Sequence, residues 1–107
     1  MYSAEYLVEK LQSAVYDLVS GEGDARSRVR EAYYKFWTIK EDNFPAHLRD
    51  KRSEIDRLLT RLPGRDGYII PDNLSKMKNK TASKIACLIY ELWFEMNEYV
   101  SAKDTQY

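Results

Sequence analysis

The chain has 107 residues, 44% hydrophobic and 32% charged, with Lys plus Arg and Asp plus Glu numbering 17 each. That length sustains one core without disulfides or metals, and the balance excludes a disordered chain and a net field that draws nucleic acid or anionic membrane from a distance. No run approaches the roughly 18 apolar residues that span a bilayer, and the opening residues lack the basic and apolar regions of a signal peptide, so a cytoplasmic location without a membrane partner is expected.

Leu7, Leu11, Ala14, Val15 and Leu18 recur at steps of three and four, which lines them along one stripe of a helix expected near residues 3–20. Ser3 is its expected N-cap, and Gly21 its stop in the left-handed conformation. After a turn at Gly21-Glu22-Gly23, Asp24 caps a second expected helix near 25–39 with Val29, Ala32, Tyr33, Phe36 and Ile39 inward. So short a connection makes the two helices antiparallel neighbours.

Pro45 disfavours helix at Phe44 and suits the first turn of a new one, expected near 45–62. Its apolar side carries Leu48, Ile55, Leu58, Leu59 and Leu62, while charged residues including Arg49, Lys51, Arg52, Asp56 and Arg61 are expected on a wet face. Pro63-Gly64 opens an irregular connection over 63–78, in which Tyr68-Ile69-Ile70 can run briefly extended and Leu74 to Met77 can form a helical turn. The last helix, expected near 79–100, places Ile85, Leu88, Ile89, Leu92, Met96, Tyr99 and Val100 on one face. It is the most hydrophobic element and the expected centre of the fold, with a frayed tail after Ser101. The reading is an all-α, four-helix bundle-like single domain with an irregular connection before the last helix.

Catalytic and cofactor motifs are absent: there is no Gly-rich phosphate loop, Cys-x-x-Cys, His-Glu-x-x-His or Glu-x-x-His. No cofactor, metal or catalytic residue is assigned, and no enzyme is expected. Cys87 lies within an apolar run and is expected to be a small buried hydrophobe; a lone cysteine also fits a reducing compartment. The pattern of HEPN-type helical ribonucleases, an arginine four to six residues before a histidine, fails at His47, which Asn43, Asp42 and Glu41 precede at those distances.

Charge and aromatic placement are more informative. Lys76, Lys80 and Lys84 recur at intervals of four near the start of the last helix and Glu91, Glu95 and Glu98 lie toward its end, against the preference of the helix dipole. Arg26, Arg28 and Arg30 repeat that inversion in the second helix. A protein partner, such as a second copy whose acidic row meets the lysine row, explains this, as does a nucleic-acid patch of Arg26, Arg28, Arg30, Lys76, Lys78, Lys80 and Lys84. A solvated face with loose pairs within the chain is the plain alternative.

Nine tyrosines, two tryptophans and three phenylalanines are more than one side of each helix can bury. Tyr34, Trp37, Tyr90, Trp93 and Phe94 are therefore candidate contact aromatics, unless a central helix buries them all.

Glu41 to Arg49, leading into Ile55 to Leu62, and Thr81-Ala82-Ser83-Lys84-Ile85-Ala86 resemble segments of small bacterial all-helical proteins. That resemblance implies a bacterial or phage origin and a helical fold, and carries no activity. The function expected is a cytoplasmic protein-interaction or regulatory module, homodimeric, with a nucleic-acid-binding accessory protein as the alternative.

Overall fold

A computed structural model describes residues 2–104. Five α-helices follow one another: α1 Ala4–Ser20, α2 Ala25–Tyr34, α3 Arg49–Leu59, α4 Ile69–Lys76 and α5 Asn79–Asp104. Among the described residues there is no strand, and one buried cluster drawn from all five helices forms the core. The fold is all-α, with the four expected helices in their expected order and a fifth, short one added.

The helix starts follow the capping chemistry of the sequence. Ser3 Oγ accepts from the Tyr6 N–H at 3.1 Å, and Asp24 Oδ1 accepts from the Ser27 N–H at 3.1 Å. Gly21 departs from expectation, being extended at φ −66°; the left-handed residue of this turn is Gly23, at φ 86°.

Helix α2 ends at Tyr34 rather than near residue 39, yet the turn that follows still buries Phe36 and Ile39. Pro45 precedes a 3₁₀ turn, Ala46–Leu48, before α3 proper, and that helix stops at Leu59. The expected irregular stretch is the largest correction. Ile69 and Ile70 open α4 instead of extending, with Pro71 in its first turn, where a missing N–H costs no helical bond. Gly67 at φ 77° turns the chain into α4, and the Tyr68 N–H donates to the Arg65 carbonyl at 2.8 Å.

Helix α5 packs against α1, α2 and α3 and is central, as its composition predicts. It continues past Ser101 to Asp104; Thr105 to Tyr107 of the expected frayed tail lie outside the described residues. Helix α3 runs antiparallel to α5: His47, just before α3, lies against Tyr99 with ring centroids 6.1 Å apart, and Lys51 reaches Glu91 and Glu95. Helix α4 packs on α2 and α3. Its Asn73 is buried and ties the preceding loop down, donating from Nδ2 to the Leu62 and Ile69 carbonyls at 2.8 Å each and accepting from the Leu62 N–H at 2.9 Å.

Three side chains reverse their expected burial, the first being Leu62, which lies beyond the end of α3 and is exposed. Cys87 is exposed, because residues two apart on a helix do not share a face and Ile85 and Ile89 take the inner one. Arg52 is 0% exposed although the charged side of α3 is expected to be wet. The cause is its spacing: Leu48, Arg52, Ile55 and Leu59 stand at steps of four, three and four, so Arg52 occupies the apolar stripe.

Candidate functional site

The candidate aromatics separate into two places. On α5, Tyr90 and Phe94 are each 48% exposed, with ring centroids 6.3 Å apart, and Cys87 lies one turn before Tyr90 on the same side. Trp93 lies beside them, its ring centroid 5.8 Å from that of Tyr90, but is half-buried and packs against the core.

Lys80 and Glu98 flank this strip. They stand about five turns apart on α5, hence on the same side of it, both exposed. Neither forms an ion pair with any described residue.

Three other charges of the expected rows, Glu91, Glu95 and Lys84, meet opposite charges of α3. Lys51 of α3 holds Glu91 at 3.1 Å and also Glu95. Against the desolvation of its place, the two glutamates raise the Lys51 ammonium above its ordinary value. Arg57, with a smaller contribution from Lys84, lowers the Glu54 carboxyl. Antiparallel packing of α3 on α5 thus accounts for Glu91, Glu95 and Lys84, and the lysine row is itself broken, since Lys76 belongs to α4.

Tyr34 and Trp37 line a different feature, a groove of about 590 Å³ between the end of α2, α3 and the start of α4. Tyr34 is 42% and Trp37 50% exposed, and Ile69, Ile70 and Pro71 also line it. Its polar part is Asp56 with Lys40. Asp56 Oδ1 accepts from the Tyr33 hydroxyl at 2.7 Å and from Arg52 Nη1 at 2.8 Å, while Oδ2 faces Lys40 Nζ at 3.6 Å. Burial, reinforced by the Asp56 carboxylate, pushes the Tyr33 hydroxyl up to about 12, so it stays a donor. The Arg52 guanidinium lies over the Tyr33 and Phe36 rings, 5.7 and 5.0 Å from their centroids, and its Nε donates to the Ile39 carbonyl at 2.8 Å.

Sequence reasoning missed Lys40, Arg52, Asp56 and the α4 wall. The Leu48-Arg52-Ile55-Leu59 spacing was the available signal for the arginine, and Asp56 follows it by one turn. Nothing local marks Ile69 and Ile70 as groove residues, because their place depends on how α4 folds back.

The seven residues of the candidate basic patch do not form one surface. Arg26 donates from Nε and Nη2 to Asp24 Oδ2 at 3.0 and 2.9 Å, and from Nη1 to the Met77 carbonyl at 3.4 Å, holding the end of α4 to the start of α2. Arg30 lines the same shallow depression as Arg26, whereas Arg28, two positions from each, turns away and is half-buried. Lys76 and Lys78 line a separate pocket of about 270 Å³ with Arg61, which sequence reasoning left out of the patch. Lys80 belongs to the outer strip of α5, and Lys84 lies near Glu54.

Among the described residues no cluster of histidine, cysteine and carboxylates could hold a metal ion, and no helix is long and apolar enough to cross a membrane. No family model matches the chain, and neither does any curated protein or solved structure. The resemblance to small bacterial helical proteins rests on the residues quoted for it.

Proposed function

We propose that the chain is a protein-interaction module that pairs with a second copy of itself through the outer side of α5. One observation carries this: the exposed strip of Cys87, Tyr90 and Phe94 is bracketed by an unpaired cation, Lys80, and an unpaired anion, Glu98, on the same side of the helix. Their midpoint falls within the apolar strip. In an antiparallel two-fold pairing, Lys80 of each copy meets Glu98 of the other while the aromatics close over one another. A parallel pairing sets like charges side by side at both ends.

Tyrosine and phenylalanine supply most of the buried area in such a contact, and the end charges set direction more than strength. The contact is narrow, as suits a weak, reversible dimer. An exposed free thiol suits a reducing compartment, and we take the cytoplasm as its location.

Sedimentation equilibrium up to about 1 mM protein tests this reading. The wild type dimerises, F94E is monomeric, and K80E and E98K each weaken association. K80E/E98K together restore it, because the exchanged charges meet again. A monomer throughout that range, or a double variant no tighter than either single one, overturns the proposal.

A further inference from the structure

We propose that the groove between α2, α3 and α4 is a binding site for a small aromatic carboxylate. None of its lining residues lies on α5, so this site and self-association stand or fall separately. Its volume, about 590 Å³, lies within the range of cavities that take small organic ligands. Trp37 and Tyr34 give an aromatic side, and Ile69 and Ile70 an aliphatic one facing a flat ring.

Donor and acceptor inventory sets the charge of the ligand. The only carboxylate lining the groove, Asp56, is committed: Oδ1 takes two hydrogen bonds and Oδ2 faces Lys40. The Thr60 hydroxyl proton is taken by the Asp56 backbone carbonyl at 2.7 Å. The charged group left with hydrogen-bonding capacity facing the groove is a donor. Lys40 is half-exposed and carries three N–H groups, with its single recorded partner at 3.6 Å, longer than an ordinary hydrogen bond. The Trp37 indole can only donate. Arg52 and Lys40 against Asp56 leave one positive charge in excess, and Arg52 Nη2 has no hydrogen-bond partner among the described residues. A cation entering here meets the Lys40 ammonium and a carboxylate already shared between Arg52 and Lys40, whereas a carboxylate can take the Lys40 ammonium directly while its ring lies along Trp37.

Titration of ¹⁵N-labelled protein with naphthalene-2-carboxylate is the test, with 2-(aminomethyl)naphthalene as the oppositely charged control. The carboxylate shifts the Trp37 indole N–H together with the Tyr34, Lys40 and Ile69 amides, and the amine does not. K40M weakens binding about tenfold, as the loss of one charge-assisted hydrogen bond does. W37A, a change at a half-exposed residue outside the core, removes the aromatic side and most of the binding while thermal unfolding reports an intact fold. The proposal is overturned by no shift at about 5 mM carboxylate, a millimolar affinity being within reach of a ligand this small. Equal shifts with the amine, shifts confined to α5, or wild-type affinity in a folded W37A overturn it too.

Discussion

Arg52 Nη1 stands 2.8 Å from Asp56 Oδ1, one turn along α3, and the guanidinium making this bond is wholly buried. The two ends of the pair are not equivalent. Asp56 retains the Tyr33 hydroxyl, Lys40 and some solvent when the arginine goes, but Arg52 retains only the Ile39 carbonyl as an acceptor, and the Tyr33 and Phe36 rings but no anion, when the carboxylate goes. Asp56→Ala therefore costs about 3 kcal/mol, the effect of stranding a buried charge. Arg52→Met fills the same apolar stripe and costs less. Urea unfolding of the two variants measures the difference, and an equal or reversed order refutes the asymmetry.

Tyr33 makes the same network visible at high pH. Its folded pKa, about 12, exceeds the ordinary value of 10.0, so between those limits the folded chain holds a proton that the unfolded chain has released. Stability is unaffected well below pH 10 and falls as pH rises through 12, by about 3 kcal/mol at most. Absorbance near 295 nm should resolve one late-titrating tyrosine, and Tyr33→Phe should remove it and flatten the alkaline loss.

How much of this was legible in the sequence differs by element. Ser3 and Asp24 sit where their side chains cap as expected, and Leu7, Leu11 and Ala14 of α1 and Ile85, Ile89, Leu92 and Met96 of α5 are buried as their spacing requires, because both signals are local. The stretch before α5 was not legible: Pro63, Gly64 and Gly67 read as loop, and α4 is held by Asn73 reaching back to Leu62. Tyr34 and Trp37 could be named as outward aromatics, but the groove they line needs residues from three helices. Arg52 was hidden by its charge, although its spacing put it inside. The charge rows were seen, yet Lys51, their main intramolecular partner, comes from a helix far away in sequence.

Asn73 offers the cleanest test of the α4 clamp. Asn73→Ala leaves the Leu62 N–H and the Leu62 and Ile69 carbonyls without its side chain, and it should cost about 2–3 kcal/mol. Amide exchange should rise first across residues 62–73 rather than in α1 or α5, because the clamp bears on that segment alone. Uniform acceleration over all five helices contradicts a local role.

Asp72 fastens the same segment from the other side. Hydrogen bonds from the Arg65 side chain, then from its backbone N–H, hold the Asp72 carboxyl at about 2 against an ordinary 3.8. A lowered folded value means that the contribution is complete above about pH 5 and is lost as pH falls through 2. Carboxyl ¹³C titration should find Asp72 among the last groups to protonate, and Arg65→Ala should return it toward the ordinary value.

The exposed thiol can report the direction of self-association. In an antiparallel pairing centred near residue 89, midway between Lys80 and Glu98, the two Cys87 residues are staggered along the axes by roughly 6 Å on top of the lateral gap between helices. A disulfide needs Cα atoms within about 7 Å, so mild oxidation should leave the wild type uncrosslinked. A cysteine at position 90, in a Cys87→Ser, Tyr90→Cys chain, faces its own copy almost directly and should crosslink. A parallel pairing aligns Cys87 with Cys87 and reverses this outcome for the wild type, so one oxidation experiment on two chains, read on a non-reducing gel, decides between the geometries.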